Sequence, residues 1–316
     1  MWSYLLALLV FMFLYRWYRY HLTLENLSDK YVLITGCDSG FGNQLAKKLD
    51  KRGMRVLATC LTEKGAENLK KETSSRLQTT ILDIANSNSV QSAAKWVSDV
   101  LDGKDLWGLV NNAGTGMPGA PNEWLSREDF ARVLNVNLLG PIDVTLRLLP
   151  LIRKSKGRIV NVSSIVGRVT ICGGGYCISK FGVEAFSDSL RRELKPFGVK
   201  VSIIEPGYFQ TGLNNMQFMK DALSRIWKNV NQEIRYSYGE TYFKDYVFDL
   251  ERTFSSLANT DLTPVTDCME HALTAVYPKT RYAAGWDAKL FFIPLSYVPA
   301  VLADYILTRT APTPAH

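Results

Sequence analysis

The chain has 316 residues, of which 47% are hydrophobic, and a formal net charge of +7. This length and apolar content can build one large α/β domain or two small ones. The basic residues are dispersed over helix faces, which argues against a nucleic-acid-binding surface. An anionic membrane surface is the more plausible partner for the positive charge. Five irregularly spaced cysteines and three scattered histidines argue against a disulfide framework and a metal site.

Residues 1–20 are predicted to form a membrane anchor, because an almost wholly apolar run extends to Arg16. Spanning a bilayer takes about 20 residues, so the run is marginal unless its flanking aromatic residues lie at the interface. No basic residue precedes the run and no small-residue cleavage site follows it, which favours an anchor over a cleaved signal peptide. Arg16 and Arg19 favour a cytosolic position for the rest of the chain, and a luminal orientation stays open.

A regular alternation of strand-like apolar runs and helical patterns occupies the middle of the chain. The predicted strands are Lys30–Thr35, Arg55–Thr59, Thr79–Asp83, Gly108–Asn111, Arg158–Ser163, Lys200–Glu205 and Arg281–Ala284. Helices are predicted between them, for example at Val90–Leu101 and Phe181–Lys195. This spacing predicts a Rossmann-like, doubly wound parallel sheet in one domain at residues 29–288. Ligands of such sheets bind beyond the carboxyl ends of the strands.

A glycine-rich turn follows the first predicted strand, with Gly36, Gly40 and Gly42 spaced Gly-x3-Gly-x-Gly. A helical pattern comes directly after it. Glycines in a strand–turn–helix unit let the backbone approach a pyrophosphate at a helix N-terminus. An ordinary tight turn is the alternative interpretation.

An acid/base pattern lies further along, where Tyr176 and Lys180 are four residues apart and Ser164 is twelve residues before the tyrosine. Residues four apart share one face of a helix. A free tyrosine has a pKa near ~10, and a cation one turn away is expected to lower it. A nearby serine hydroxyl can bind the same substrate oxygen, so the set can move a proton on or off an alcohol. Taken alone, the Tyr–Lys spacing also fits a surface pair on an amphipathic helix.

Two further segments carry no catalytic motif. Residues 211–261 are rich in aromatic side chains and predict either a lid over an apolar pocket or ordinary helix packing. Residues 289–316 contain an apolar stretch broken by Pro294, Pro299 and Asp304. It is predicted either to associate with the membrane and cover a substrate entrance, or to pack as a helix on the core.

Ordered motifs over residues 29 to 285 give the chain a resemblance to the short-chain dehydrogenases/reductases. They are the glycine turn, Asn111–Gly114, Asn137, Ser164, Tyr176 with Lys180, and Pro206-Gly207. A narrower resemblance, at residues 29–42, 57–65, 106–114, 173–180 and 282–297, is to the membrane-bound retinol dehydrogenases. Close relatives in that branch oxidise 3α- and 17β-hydroxysteroids, and they include 17β-hydroxysteroid dehydrogenase type 6.

The resemblance implies a set of dinucleotide-binding residues. Those around the phosphates are Gly36, Ser39, Gly40, Phe41 and Gly42. Those around the adenine and its ribose are Asp83, Asn111, Ala113 and Gly114. Those around the nicotinamide and its ribose are Tyr176, Lys180, Pro206, Gly207 and Thr211. Asp83 has an alternative as a helix N-cap, and Asn112 is assigned to holding the sheet together.

The resemblance also implies the catalytic roles. Tyr176 takes the hydroxyl proton, Lys180 tunes it, and Ser164 orients the substrate oxygen while Ser163 serves the strand end. Asn137 supports a proton relay through water to Lys180, or alternatively stabilises a helix bend. The family usually has one more residue between serine and tyrosine, and the three glycines before Tyr176 accommodate the shorter connection.

The implied reaction is the oxidation of retinol to retinal, or of a 3α- or 17β-hydroxysteroid to a ketosteroid. NAD is favoured over NADP because Asp38 would repel a phosphate, although residues 59–64 after the second strand hold no acid in the expected place and no arginine that would bind a 2′-phosphate. The implied partners are a lipophilic alcohol, the endoplasmic reticulum membrane, and a second copy paired through the helices carrying Asn137 and Tyr176.

Two other interpretations compete with this one. The first is a catalytically silent, dinucleotide-binding membrane scaffold or sensor, against which the intact Asn137, Ser164, Tyr176 and Lys180 argue. The second is a reductase of soluble sugars or fatty-acyl groups, against which the apolar ends of the chain argue.

Overall fold

A parallel β-sheet forms the centre of the molecule in the computed structural model, which describes residues 2–116, 119–212 and 216–315. Residue 1 of the predicted anchor, residues 213–215 of the predicted lid and residue 316 lie outside the described residues. Within those ranges the sheet has seven strands in the order β3-β2-β1-β4-β5-β6-β7. They are β1 (Tyr31–Ile34), β2 (Arg55–Cys60), β3 (Gln78–Ile81), β4 (Leu106–Asn111), β5 (Arg158–Val162), β6 (Lys200–Pro206) and β7 (Arg281–Ala284).

Helices cover both faces of the sheet. The α-helices are α1 (Trp2–His21), α2 (Gly40–Lys51), α3 (Glu63–Lys71), α4 (Ser87–Leu101), α5 (Arg127–Leu134), α6 (Gly140–Lys154), α7 (Gly175–Leu194), α8 (Met216–Asn229), α9 (Gln232–Leu257), α10 (Thr263–Thr274), α11 (Ile293–Leu295) and α12 (Ala300–Thr308). Apolar side chains of α2, α3 and α10 pack on one face, and those of α4, α6 and α7 pack on the other. The predicted doubly wound parallel sheet is therefore confirmed.

The strands form where the sequence has short apolar runs, because strands covered on both faces bury nearly every side chain. All four residues of β1 and all five of β5 are buried. The third strand ends earlier than predicted, at Ile81, because Asp83 belongs to a turn in which its carboxylate accepts the Ala85 N–H at 3.0 Å. Asn86 then caps α4 by accepting the N–H of Asn88 at 2.9 Å. The alternative assignment of Asp83 as a helix N-cap was therefore wrong.

The aromatic residues of the predicted lid lie mainly on α8 and α9. Trp227 stacks on Phe243 with ring centroids 5.3 Å apart, and both lie near Trp124. These three residues support the helix-packing interpretation. Tyr246 of the same cluster also lines a cavity, described below, and the lid role of the segment stays a prediction.

The two ends of the chain contact the domain at particular points. Most of α1 is exposed. Its last turn contacts the domain where the Tyr20 ring stacks on the His271 ring, with ring centroids 4.0 Å apart. Within the described ranges, no helix combines the length and the apolar content that crossing a membrane requires. At the other end, the Ala315 N–H donates to the Tyr238 carbonyl at 3.1 Å, so the carboxyl-terminal tail lies against α9.

Candidate active site

The glycine turn between β1 and α2 is shaped by close backbone approaches. Gly36 has φ +72° and Gly40 has φ +63°, values at which a residue with a β-carbon is strained. A β-carbon on Gly36 would lie 2.8 Å from the Ala113 Cα, and one on Gly42 would collide with the Gly36 carbonyl. The turn therefore needs glycine at these three positions. Ser39 begins α2 as its N-cap without a side-chain cap hydrogen bond.

Asp38 projects from this turn to the end of β2. Its carboxylate accepts the N–H groups of Leu61 at 2.8 Å and Thr62 at 3.0 Å, and the Thr62 hydroxyl at 2.7 Å. The sequence analysis found no acid in the expected place after the second strand, because the acid that lies there comes from 23 residues earlier in the chain. Parallel pairing of β1 with β2 brings the two segments together.

A cavity of about 570 Å³ runs along the carboxyl ends of the strands. Of the residues predicted to bind a dinucleotide, it is lined by Gly36, Ser39, Gly40, Phe41, Asp83, Ala113, Gly114, Tyr176, Lys180, Pro206, Gly207 and Thr211. Asp38 lines it as well, whereas Gly42, also predicted to bind the phosphates, does not line it and packs against the Gly36 carbonyl. The glycine turn lines this cavity through Gly36 and Gly40 and lies at the N-terminus of α2, where helix N–H groups favour phosphate groups. The residues present therefore fit a dinucleotide.

Asn111 does not line the cavity, so its predicted place beside the adenine ribose was wrong. Its side chain is buried and its amide donates to Asn161 Oδ1 at 2.8 Å and to Thr145 Oγ1 at 2.9 Å. Asn161 in turn donates to Ser187 Oγ at 2.8 Å. This buried network ties β4 and β5 to α6 and α7. Asn111 therefore holds the sheet together, which is the role that was predicted for Asn112.

Asn112 is the asparagine that lines the cavity. Its amide donates to the carbonyl oxygens of Thr35 at 2.9 Å and Gly36 at 3.0 Å. It therefore holds the glycine turn of β1 against the end of β4. The two neighbouring asparagines thus stabilise different parts of the fold.

Tyr176 and Lys180 lie in the first turns of α7, as their spacing predicted. The Lys180 ammonium is 5.6 Å from the centroid of the Tyr176 ring and donates to the Val162 carbonyl at 2.9 Å. Ser164 follows β5, and its hydroxyl accepts the Val166 N–H at 3.3 Å. Ser163 donates to the Lys180 carbonyl at 3.3 Å, which links the end of the strand to the helix.

The pKa of Tyr176 differs from the expectation. Burial raises the pKa of Tyr176 to about 12, although a hydrogen bond with Ser164 acts in the opposite direction. Burial also lowers the pKa of Lys180 to about 8. The expected lowering of the tyrosine pKa by the ammonium was wrong for this arrangement, because the loss of water around the phenol dominates. At neutral pH Tyr176 is protonated and can donate.

Asn137 is buried in a π-helical turn, Asn135–Leu139, between α5 and α6. Its Oδ1 accepts the Thr115 N–H at 2.7 Å, and its Nδ2 donates to the Thr115 carbonyl at 2.8 Å and to Ser179 Oγ at 3.1 Å. These bonds join the irregular helix to the loop after β4 and to α7. They support the helix-bend role, and the relay to Lys180 stays a prediction.

A second cavity, of about 330 Å³, lies beside the first. Its walls come from the loops after β5 and β6, from α8 and α9, and from the end of α12 with the tail that follows it. Its lining residues include Ile171, Cys172, Tyr208, Met219, Tyr246, Leu250, Phe254, Leu307, Ala311 and Pro312. Ser164, Tyr176 and Gly207 line both cavities. The two cavities therefore meet at the residues that the sequence marked for acid/base chemistry.

Asp287 is a positioning residue that the sequence analysis missed. Its carboxylate accepts the Tyr208 N–H at 2.7 Å and packs against Gly207, which fixes the loop after β6 where the two cavities meet. No local pattern marks this aspartate, because its partners are about 80 residues away in the chain.

Comparisons with known proteins agree with this geometry. A family model described as short chain dehydrogenase matches residues 30–222. Retinol dehydrogenase 16 from Mus musculus is 57% identical over 99% of each chain. The 17-beta-hydroxysteroid dehydrogenase type 6 from Homo sapiens is 56% identical over 100% of this chain and 99% of its own.

The fold also matches a solved structure, a short chain dehydrogenase/reductase from Burkholderia phymatum in complex with NAD. It has a TM-score of 0.69 and 22% identity, covering 93% of this chain and 100% of that one. The family match, the full-length relatives and the site geometry agree. The chain belongs to the short-chain dehydrogenase family.

Proposed function

We propose that this protein is an oxidoreductase that moves a hydride between a lipophilic alcohol and NAD. The observation that carries the proposal is the meeting of two cavities at Ser164, Tyr176 and Gly207. One cavity has the glycine turn and helix N-terminus suited to a dinucleotide, and the other has mainly apolar walls. A group bound in each would meet at the acid/base residues.

The roles of the chain's own residues follow from their surroundings. When bound, a nicotinamide dinucleotide supplies the hydride acceptor for alcohol oxidation and the hydride donor for the reverse reduction. Ser164 would hold the substrate oxygen, and Tyr176 would move the proton at that oxygen. The Lys180 ammonium, 5.6 Å from the Tyr176 ring, would stabilise the phenolate formed during reduction. Asn137 would hold the helix that carries them.

The preference for NAD over NADP rests on Asp38. Its carboxylate lines the dinucleotide cavity at the end of β2, close to Leu61 and Thr62. An acid at this point of a dinucleotide fold binds a ribose 2′-hydroxyl and repels a 2′-phosphate. We expect Asp38→Ser to raise the NADP-to-NAD activity ratio by about tenfold or more. Glu63→Ser is the matched control, because Glu63 is exposed and does not line the cavity.

The proposed substrates are retinoids and hydroxysteroids, with both kept as candidates. The relatives described above carry the names retinol dehydrogenase and 17-beta-hydroxysteroid dehydrogenase. The apolar lining of the second cavity, including Ile171, Met219 and Leu250, suits either hydrocarbon skeleton.

Membrane attachment through α1 is part of the proposal. Trp2 is 80% exposed and Phe13 68%, so the helix presents bulky apolar side chains to its surroundings. We propose the endoplasmic reticulum membrane, with the catalytic domain on the cytosolic side that Arg16 and Arg19 favour. Removing residues 1–20 should release the protein from sedimented membranes, and protease digestion of intact microsomes should degrade the domain. Protection from protease would reverse the orientation.

A homodimer through α6 and α7 is also proposed. Leu146 on α6 and Ile178 and Phe181 on α7 are large apolar side chains that are 55%, 51% and 42% exposed. Exposed apolar side chains on two helices that cover the same face of the sheet are a candidate protein interface. Ile178→Glu should shift the mass measured in detergent by light scattering from dimer to monomer, and a monomeric wild type would remove this part of the proposal.

The deciding experiment measures NADH formation by membranes carrying the protein, with all-trans-retinol and a 3α-hydroxyandrostane offered separately. Tyr176→Phe should abolish turnover and keep dinucleotide binding, while the matched variant Tyr18→Phe, on exposed α1, should behave as wild type. The better alcohol identifies the substrate class. Dinucleotide binding without turnover on either alcohol, with NAD or NADP, would instead support the silent scaffold.

A further inference from the structure

Two thiols lie side by side at the start of α7. The Sγ atoms of Cys172 and Cys177 are 3.5 Å apart, and both cysteines are free. The residues between them are three glycines and Tyr176. We propose that Cys172 and Cys177 form a reversible disulfide that switches off the active site. The effect on turnover rests on the proposed function, whereas the bond itself does not.

The geometry permits the bond with small movements. A disulfide needs the two sulfur atoms at about 2.05 Å, so each must move by less than about 1 Å from its present position. Rotation of the two side chains and adjustment of the glycine loop can supply that movement. Gly174 already has φ +90°, and its N–H is held by the Asn122 side chain at 2.8 Å. The loop therefore bends at residues that carry no β-carbon.

The surroundings favour oxidation of this pair. Cys172 lines the substrate cavity, which gives a small oxidant a route to the sulfur atoms. Cys177 lies in the first turn of α7, where helix N–H groups favour a thiolate. A hydrogen bond with Cys172, together with backbone hydrogen bonds, lowers the pKa of Cys177, although burial acts in the opposite direction. A nucleophilic thiolate with a second thiol in contact is the arrangement that yields a disulfide.

Hydrogen peroxide is the oxidant we name for the reaction. One thiolate attacks a peroxide oxygen and breaks the O–O bond, which gives a sulfenic acid and, after protonation, one water. The second thiol attacks the sulfenic sulfur, forms the S–S bond and releases a second water. Two thiols and one peroxide thus become one disulfide and two waters, and a dithiol reductant reverses the change.

The bond would act on the reaction through Tyr176. This residue precedes Cys177 and lies inside the ring that a bond between residues 172 and 177 closes. Cys172, Cys177 and Tyr176 also pack in one apolar cluster with Tyr208. Moving the sulfur atoms together would displace the cavity wall and the tyrosine, and a misplacement of about 1 Å can cost ~100-fold in rate.

The test uses the full-length protein in membranes, reduced and then treated with hydrogen peroxide. Free thiols are alkylated, and the peptide containing both cysteines is examined by mass spectrometry. We expect this peptide to escape alkylation and to be two hydrogens lighter, while NADH formation falls about tenfold or more. Dithiothreitol should restore both the free thiols and the activity.

Variants test whether the loss of activity in peroxide comes from this pair of thiols. Each variant is compared with its own untreated sample. Cys172→Ser should keep its activity in peroxide, and Cys172→Ala serves if the serine variant folds poorly. Cys268→Ser is the matched control, since it removes a partly buried thiol on α10 and should remain sensitive. Two free thiols after treatment of the wild type would overturn the inference. A disulfide without loss of turnover, or inactivation that persists in Cys172→Ser, would do the same.

The two proposals can fail separately. A protein that forms the disulfide but turns over no alcohol in the reduced state contradicts the proposed function and leaves the thiol chemistry intact. A protein that oxidises alcohols equally well before and after peroxide treatment contradicts the switch alone.

Discussion

Replacing Lys180 by methionine should make the folded protein more stable while removing most of its activity. The side chain is 5% exposed, and burial lowers the pKa of its ammonium to about 8 from 10.5. Each pKa unit corresponds to about 1.4 kcal/mol, so keeping this charge buried costs the folded state about 3 kcal/mol at neutral pH. Methionine also removes the hydrogen bond to the Val162 carbonyl, a loss of about 1 kcal/mol. The expected net gain is about 2 kcal/mol.

The stability difference between Lys180→Met and the wild type should depend on pH. Above pH 10.5 the lysine is neutral in both states, so it carries no charge penalty. Between pH 10.5 and 8 the unfolded chain takes up the proton and the folded protein does not, so the wild type loses stability as the pH falls. Below pH 8 the penalty is constant. The advantage of Lys180→Met should therefore be full at pH 7 and shrink as the pH rises from 8 towards 10.

Urea unfolding followed by tryptophan fluorescence at pH 7, 8, 9 and 10 measures the difference. Lys200→Met is the matched control, because Lys200 also donates to a backbone carbonyl, that of Val276 at 2.9 Å, but is only partly buried. It should bring no comparable gain. A Lys180→Met protein that is less stable than wild type at pH 7, or a difference that does not change with pH, would refute the reasoning. NADH formation by the variant should fall by about 100-fold.

Three other changes test separate parts of the structure. Arg281→Ala should lower the free energy of unfolding in urea by about 3 kcal/mol, because Arg281 pairs with the buried Glu184. Arg147→Ala, at an exposed ion pair, should change it by less than about 0.5 kcal/mol. Equal effects of the two changes would contradict this prediction. Gly36→Ala should weaken NAD binding, measured by calorimetry, by about tenfold or more, because its φ is +72°; an unchanged Kd would argue against the tight turn. Removal of residues 309–316 should raise the KM for the alcohol and leave the Kd for NAD unchanged. The reason is that Thr310, Ala311 and Pro312 line the substrate cavity and not the dinucleotide cavity. A changed Kd for NAD would contradict this prediction.

The sheet could be predicted from the sequence because its strands are short apolar runs separated by helical patterns. Buried parallel strands show such runs regardless of their order in the sheet, as Tyr31–Ile34 and Arg158–Val162 illustrate. The motifs likewise fall at strand ends, where the fold collects them on one edge. The placement of the glycine turn, Ser164, Tyr176 and Lys180 around one cavity could therefore be anticipated.

The orientation of single side chains could not be predicted in the same way. Successive side chains of a strand point to opposite faces, so an error of one position exchanges their roles. Asn111 and Asn112 show this, since the first supports the sheet and the second lines the cavity. The burial of Tyr176 was also hidden, because spacing reveals a neighbouring cation but not the loss of water around a phenol.

Contacts between distant segments form the other part that the sequence concealed. Asp38 meets Leu61 and Thr62 only because β1 and β2 pair in parallel. Asp287 reaches Tyr208 through the pairing of β6 with β7. Asp287 belongs to no local pattern, and the sequence analysis assigned Asp38 a role in the glycine turn without revealing its contact with the end of β2.

The carboxyl-terminal tail supplies part of the substrate cavity through Leu307, Thr310, Ala311 and Pro312, yet contributes no strand to the sheet. Changes in its sequence therefore act on the cavity wall rather than on the strands of the sheet. Among related enzymes we expect exchange of this short segment to be an economical evolutionary route to a new alcohol. Because the tail forms part of the cavity wall, we expect a carboxyl-terminal affinity tag to alter the substrate range of the purified enzyme.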